Sequence, residues 1–99
     1  MPIRVKLHGR VRIAAGTEEV EVPETVRSVG DLIEELAGRF GPDVRRYMLV
    51  PGTNEMNPSL ILLVNDHSFK MLEGLRTPLM ERDMVSVDSL NILEVVGGG

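Results

Sequence analysis

The sequence SVGDLIEELAGRF, residues 28–40, carries the clearest structural signal in this chain of 99 residues. Its apolar residues recur at the three- and four-residue spacing of an α-helix and therefore share one face. These residues are Val29, Leu32, Ile33, Leu36, Ala37 and Phe40. Ser28 is a favourable N-cap, Asp31 can complete a capping box, and Gly41-Pro42 ends the pattern. We predict one amphipathic helix here, with its apolar face against the core.

Two strands are predicted before this helix. Apolar and polar residues alternate from Ile3 to Ile13, which is the period of a half-buried strand. Residues 14–17, with the sequence AAGT, are predicted to form a turn. Val20 and Val22 then alternate with glutamates in a second strand, which Pro23 ends.

The outward row of the first strand is basic and that of the second strand is acidic. The basic residues are Arg4, Lys6, His8, Arg10 and Arg12, and the acidic residues are Glu19 and Glu21. One interpretation is a surface for an anionic ligand or partner. The interpretation that we favour is a solvated face paired with the glutamates, in which each exposed pair contributes about 0.2–1 kcal/mol.

The chain after the helix is predicted to be irregular over residues 42–58 and then rich in strands. Residues 60–64, LILLV, indicate a strand covered on both faces or nearly so, followed by a turn at Asn65-Asp66 and a short strand from His67 to Lys70. Residues 71–79 cannot form a second full helix because they contain Gly74 and Pro78. Residues 81–83 form a charged turn, and the last strand region begins at Met84.

This order of elements predicts an α+β fold. A ferredoxin-like arrangement is excluded because it needs a second full helix. The alternative is a mixed sheet packed on one main helix, with the first and last strands adjacent and parallel in its middle. The long connection between those strands satisfies the right-handed crossover rule. This architecture is the β-grasp, or ubiquitin-like, fold, and it delivers the C-terminal end of the chain from a central strand into solvent.

The chain ends in Val95-Val96-Gly97-Gly98-Gly99. Three glycines without Cβ atoms form a slender arm, which fits a narrow active site of another protein and leaves the terminal carbonyl carbon open to attack. On their own, such glycines are also typical of a frayed end or a linker remnant. The predicted fold favours the first interpretation. We expect a ubiquitin-like domain over residues 1–96 and a flexible glycine tail over residues 97–99.

The composition argues against several classes of function. The absence of cysteine removes disulfides, thiolate metal sites and a cysteine nucleophile, and the net charge of −4 argues against a nucleic-acid binder. No nucleotide-binding glycine motif occurs, and His8 and His67 stand in no metal-ligand pattern. The N-terminus has no signal-peptide core, and the longest aliphatic run is too short to span a membrane. We expect a cytoplasmic protein that is neither an enzyme nor the carrier of a cofactor or metal.

The second half of the chain resembles the ubiquitin-related modifier family. The resemblance rests on residues 58–66, PSLILLVND, on Leu72-Glu73, on residues 79–83, LMERD, and on the terminal glycines. The same pattern is similar, more loosely, to the small sulfur-carrier subunit of molybdopterin synthase and to the thiamine sulfur carrier. The first half matches these families only in its order of elements.

The resemblance implies a sulfur carrier. An adenylating enzyme of the ubiquitin-activating type, which uses ATP, would activate the carboxylate of Gly99, with Gly98 beside it, and a sulfur donor protein would convert it to a thiocarboxylate. The sulfur would pass to an acceptor enzyme of tRNA thiolation or molybdopterin synthesis. The alternatives are a protein modifier, joined through the same glycine to lysines of target proteins, and an inert β-grasp interaction domain.

Two departures from these families affect the site. The segment between the acidic turn and the glycines is several residues longer, so the last strand either ends near Val87 or resumes at Ile92. Three glycines stand at the end instead of two, so either Gly99 is the functional terminus or the chain is trimmed to Gly98. Val95 and Val96 either close the core or dock on the activating enzyme, and we favour docking.

Overall fold

Strands, helices and 3-10 turns account for most of the residues that the structure describes. The computed structural model describes residues 3–23, 25–53, 55–80 and 82–89. In chain order the elements are β1 (Ile3–Leu7), α1 (Gly9–Ala15), β2 (Glu19–Val22), α2 (Val29–Phe40), α3 (Pro42–Met48), β3 (Leu60–Val64), β4 (His67–Ser68), the 3-10 helices Phe69–Met71 and Gly74–Arg76, and β5 (Met84–Ser89).

The strands form one mixed sheet in the order β2-β1-β5-β3-β4. The first and last strands run parallel to each other in its middle, with Val5 opposite Val85. The other neighbouring strands are antiparallel, and β2 places Glu21 opposite Arg4 and Glu19 opposite Lys6. The predicted β-grasp fold is confirmed, because the main helix lies in the long connection between two parallel central strands.

The helix α2 supplies one side of the core. Its buried residues are Val29, Leu32, Ile33, Leu36 and Ala37, and they join the inward residues of β1, β3 and β5 in one cluster. The Ser28 hydroxyl accepts a hydrogen bond from the Asp31 N–H at 3.1 Å. The Asp31 carboxylate accepts from the Arg27 N–H at 3.2 Å, one residue before the N-cap. The predicted helix is confirmed, with its capping box shifted by one residue.

The prediction of a single strand from Ile3 to Ile13 is wrong. The strand β1 ends at Leu7, and α1 occupies residues that we assigned to the strand and the following turn. Val11 is buried and Ala14 and Ala15 pack against the core, whereas Ile13 is 75% exposed. Residues 11, 14 and 15 share one helical face, whereas Val11 alone among them also served the predicted alternation with Ile13.

The prediction that residues 42–58 are irregular is wrong in its first part. Gly41, with a φ of 79°, ends α2, and Pro42 opens α3 in the first helical turn, where its missing N–H is harmless. Val44 and Met48 lie four residues apart and are fully buried, so they attach α3 to the core. We overlooked this helix because it has only seven residues and follows a helix-ending Gly-Pro pair.

The strand β3 is covered on one face and only partly covered on the other, which corrects the prediction for residues 60–64. Leu60, Leu62 and Val64 are buried, while Ile61 is 40% exposed and Leu63 is half-buried. The predicted turn after it is confirmed, since Asn65 and Asp66 both have a positive φ and join β3 to β4 in a hairpin. The short strand β4 ends at Ser68, earlier than its predicted range.

Candidate functional site

Ser89 is the last residue of β5 and the last that the structure describes before the predicted tail, and we call this end of β5 the tail exit. The strand β5 lies between β1 and β3, so the tail exit stands in the middle of the sheet rather than at an edge. The predicted site residues Val95, Val96, Gly97, Gly98 and Gly99 lie outside the described residues, as does Ile92. The site is therefore built here from the surfaces that surround the tail exit.

Close backbone packing holds the last described residues in place. The N–H of His8 donates to the carbonyl of Val87 at 2.9 Å, and the N–H of Ser89 donates to the carboxylate of Asp88 at 2.7 Å. Gly9 has a φ of 57°, and a Cβ at that position would lie 2.5 Å from the Asp88 carboxylate. The left-handed backbone favours glycine at this position, and a Cβ would require the Asp88 carboxylate to shift. Consequently α1 begins directly beside the tail exit.

The face of the sheet opposite α2 forms the first surface beside the tail exit. The strand register brings Met84, Ser86 and Asp88 of β5 beside Ile61 and Leu63 of β3 and beside Arg4 and Lys6 of β1. Met84 is 49% exposed, so this face is partly apolar. The glutamates of β2 stand opposite Arg4 and Lys6, which supports the solvated, charge-paired interpretation for these two residues.

The second surface beside the tail exit is formed by α1 and α3, which contact each other, while α1 also contacts β5. The predicted basic row does not continue along β1, because Arg10 and Arg12 belong to α1. A cleft of about 300 Å³ lies next to it, lined by Lys6, Leu7, His8, Arg12, Glu18 and Glu19. The alternating pattern did not predict this surface. Gly9 and Gly16, which stand at the two ends of α1, were the residues that could have indicated a helix here.

The opposite end of the sheet carries a different groove. Ser28 bridges to Pro78, which precedes β5, so the start of α2 lies near the start of β5 and away from the tail exit. A groove of about 320 Å³ there is lined by Gly30, Asp31, Ile33, Glu34, Leu49 and Leu75. Arg76 is an exposed residue of the adjoining 3-10 helix.

The described residues were searched for two further kinds of feature, a metal site and a membrane-spanning helix. Within residues 3–23, 25–53, 55–80 and 82–89, no three His, Cys, Asp or Glu side chains are grouped so that they could hold a metal ion. In the same ranges, no helix has the length and apolar character needed to cross a membrane. His8 and His67 are both exposed.

Comparisons with known proteins agree on one family of small proteins. The model of the ThiS family matches residues 5–99. The structure is similar to small archaeal modifier protein 1 from Methanosarcina acetivorans, with 27% identity, 98% of this chain and 95% of that chain covered, and a TM-score of 0.79. A search of curated proteins by sequence found no match.

Two further solved structures share the fold. Urm1 from Sulfolobus solfataricus has 13% identity, with 88% of this chain and 99% of that chain covered and a TM-score of 0.67. CysO in the BexX/CysO complex from Amycolatopsis orientalis has 16% identity, with 90% and 96% covered and a TM-score of 0.74. The match to the ThiS family and the similarity to small archaeal modifier protein 1 confirm the resemblance to ubiquitin-like sulfur carriers and modifiers.

Proposed function

This chain belongs to the ThiS family of ubiquitin-like carriers and modifiers, and we propose that it is a sulfur carrier whose C-terminal Gly99 is adenylated by a partner enzyme and converted to a thiocarboxylate. The observation that carries this proposal is the family match, which extends through the terminal glycines to residue 99. The acceptor of the sulfur would be an enzyme of tRNA thiolation or of molybdopterin synthesis.

The position of the tail exit supports this function. The carboxylate of Gly99 stands ten residues beyond Ser89. A fully extended segment of that length spans about 33–36 Å. Because β5 is a central strand, the segment starts from a rigid part of the sheet, and its attachment point cannot peel away as an edge strand can. A partner enzyme can therefore hold the domain while the tail enters its active site.

The proposed chemistry needs no catalytic side chain on this protein. The Gly99 carboxylate, with a reference pKa of about 3.5, is ionised at neutral pH. One of its oxygens attacks the α-phosphate of ATP, and pyrophosphate leaves. The terminal sulfur of a persulfide on the donor protein then attacks the acyl carbon, and AMP leaves. A second thiol of the donor cleaves the S–S bond of the acyl disulfide, which releases the thiocarboxylate and leaves a disulfide on the donor.

Intact-protein mass spectrometry tests this function. We expect that incubation with the adenylating enzyme, ATP and a persulfide donor replaces one oxygen of the protein by sulfur. The control is a variant that lacks Gly98 and Gly99, which should keep the wild-type circular dichroism spectrum and gain no sulfur. An unchanged mass of the wild-type protein, with an enzyme shown to be active on another carrier, contradicts the proposal and favours an inert interaction domain.

A protein modifier is the second candidate function, and the similarity to a small archaeal modifier protein favours it. In this function a lysine amine of a target protein attacks the activated Gly99 and forms an isopeptide bond. The chain itself offers only Lys6 and Lys70 as lysine acceptors, so extensive self-conjugation is not expected. Val95 and Val96 would dock on the activating enzyme in both functions.

The search for conjugates requires a protease suited to this tail. No Lys or Arg follows Arg82, so trypsin would leave residues 83–99 on a target lysine. Cleavage after Glu94 leaves the short remnant VVGGG instead. Conjugates carrying that remnant in cell extracts, absent when Gly98 and Gly99 are deleted, would establish modification. Their absence under conditions that yield the thiocarboxylate would leave sulfur transfer as the sole function.

A further inference from the structure

Residues 71–80 place several large apolar side chains in solvent. Among the described residues, seven such side chains are exposed, and four of them belong to this segment: Met71, Leu72, Leu75 and Met80. Such a concentration in one short segment is typical of a surface that contacts another molecule. Leu75, which is 40% exposed, also lines the groove of about 320 Å³ beside the start of α2, which we call the α2 groove.

Hydrogen bonds hold the wall of the α2 groove in place. Thr77 is 3% exposed, and its hydroxyl donates to the carbonyl of Gly74 at 2.7 Å and accepts from the N–H of Glu73 at 3.0 Å. These two bonds close the turn that carries Leu75. The turn is also joined to α2, because the N–H of Val29 donates to the carbonyl of Thr77 at 3.0 Å. A fixed turn therefore presents Leu75, and no ordering of this wall is needed when a partner binds.

A glycine of α2 leaves room in the α2 groove. A Cβ at Gly30 would lie 3.3 Å from the carbonyl oxygen of Leu75 and 3.8 Å from the Leu75 Cβ. An added methyl group would thus stand between the two walls of the groove. Gly38 lies in the same helix, does not line the groove, and has no heavy atom within 4 Å of an added Cβ. It provides a matched control for the space at Gly30.

Both charged residues that line the α2 groove are acidic. Asp31 and Glu34 are exposed, and within the part of the chain that the structure describes neither forms an ion pair. Arg76 belongs to the adjoining turn but does not line the groove. Ile33 and Leu49 line it as well and are buried side chains of the core cluster. An apolar groove with unpaired carboxylates fits a ligand that combines an apolar part with a positive charge.

We propose that the α2 groove binds a segment of a partner protein in which an aliphatic side chain stands next to a lysine or arginine. The aliphatic side chain packs against Leu75, and the cation pairs with Glu34 and Asp31. Charge complementarity selects this occupant, since two carboxylates repel acidic segments and nucleic acid. It also argues against the chain's own last ten residues, which contain Glu94, the terminal carboxylate and no basic residue.

This binding site is additional to the sulfur-carrier function. None of its lining residues belongs to β1, α1 or β5, the elements that meet at the tail exit. A partner in the α2 groove therefore leaves those elements uncovered. The inference adds a second contact, through which the domain is held independently of its glycine tail.

Peptide titrations followed by NMR of the isotopically labelled full chain test the α2 groove. The probe is the peptide acetyl-Ala-Lys-Leu-Leu-Lys-Ala-amide. We expect saturable shifts of the backbone amides of Gly30, Asp31, Glu34 and Leu75. Peptides with glutamate in place of lysine, or serine in place of leucine, should bind about tenfold more weakly. Shifts confined to other parts of the domain, or equal affinity for the three peptides, would overturn the proposal.

Two pairs of variants separate the groove from general effects of composition and charge. Gly30→Ala should weaken binding of the basic peptide about tenfold, whereas Gly38→Ala should stay within about twofold of the wild type. Glu34→Lys should also weaken binding about tenfold, and Glu18→Lys makes the same change of charge outside the groove and should stay within about twofold. Asp31 is left intact because it takes part in the cap of α2. Equal weakening within either pair would contradict the site, and melting curves show whether each variant is folded.

Three further results distinguish other occupants and the other function. Groove amides that shift with protein concentration alone would make a second copy of the chain the occupant and overturn the proposal. Shifts of the same amides by a synthetic peptide of residues 90–99, but not by the basic peptide, would assign the groove to the chain's own C-terminal segment and also overturn it. A variant without Gly98 and Gly99 should bind the basic peptide as the wild type does, so the groove and the sulfur-carrier function can fail independently.

Discussion

The helices α1 and α2 differ in length, in capping and in how many side chains they bury in the core. The helix α2 has twelve residues, a hydroxyl cap at Ser28 and five buried side chains. The helix α1 has seven residues, no side-chain cap and one fully buried side chain, Val11. It also leaves Ile13 75% exposed to solvent. The helix α2 completes the core, whereas α1 contributes one fully buried side chain and begins beside the tail exit.

This difference predicts that substitutions affecting the stability of the fold and substitutions affecting recognition by a partner lie in different parts of the chain. Substitutions in α2 should change the free energy of unfolding, because its side chains lie in the core cluster. Substitutions in the tail should change partner recognition, and substitutions of exposed residues of α1 or of the tail should leave the fold intact. The following predictions test this separation, from the largest expected effect on stability to the smallest.

Leu36→Ala should have the largest effect. The side chain is fully buried on the inward face of α2, and its truncation leaves a cavity, so we expect a loss of about 2–5 kcal/mol in the free energy of unfolding. Denaturant unfolding followed by circular dichroism measures it. The control Ile13→Ala shortens an exposed aliphatic side chain on α1 and should lose less than about 0.5 kcal/mol. Similar losses in the two variants would contradict the division between the helices.

Gly9→Ala tests the junction between β1 and α1. Both its left-handed backbone and the approach to the Asp88 carboxylate disfavour a Cβ, so we expect a loss of about 2 kcal/mol. Gly16→Ala is the matched control, since Gly16 has a φ of 77° but no heavy atom within 4 Å of the added Cβ. It should lose only about 1 kcal/mol from backbone strain. Equal losses in thermal or denaturant melts would show that Asp88 moves aside freely.

Ser28→Ala tests the cap that α2 has and α1 lacks. Loss of the hydroxyl leaves the N–H of Asp31 without its acceptor, and we expect a loss of about 1 kcal/mol. Ser28→Asp retains an acceptor at the same position and should stay close to the wild-type stability. If both variants melt like the wild type, the start of α2 is stabilised mainly by packing and by the bridge to Pro78.

Gly98→Ala should have the smallest effect on stability and a large effect on function. A tail residue that buries little surface should change the free energy of unfolding by less than about 0.5 kcal/mol. The added Cβ restricts the backbone and obstructs a narrow active site, so the adenylation rate should fall strongly. Melting curves and pyrophosphate exchange measure the two effects. Early melting or normal adenylation would remove the main support for the carrier function.

Long-range patterning was sufficient to predict most of the fold. The helix of residues 29–40 has over three turns of consistent spacing with a cap and a stop, and the hairpin turn at Asn65-Asp66 has residues that tolerate a positive φ. The exclusion of a second full helix by Gly74 and Pro78 then left the β-grasp arrangement. Only 3-10 turns form in that region, at Phe69–Met71 and Gly74–Arg76.

The short helices could not be predicted in the same way. Seven residues hold too few turns for periods of 2 and 3.6 to separate, and Val11 fits both. A helix of that length is also marginal on its own in water, so packing must stabilise it. The helix α3 is attached through Val44 and Met48, and α1 through Val11, to a core that other segments build.

The sequence by itself determined the main helix, the order of the strands and the family to which the chain belongs, because each depends on residue spacing that is local or covers the whole chain. Tertiary structure alone decided that the basic row divides, with Arg4 and Lys6 facing glutamates on the sheet and Arg12 on a helix beside the tail exit. The physical reason is that residues distant in sequence meet where β1 ends and α1 begins. There the N–H of His8 donates to the carbonyl of Val87, and Gly9 adopts a left-handed backbone beside Asp88.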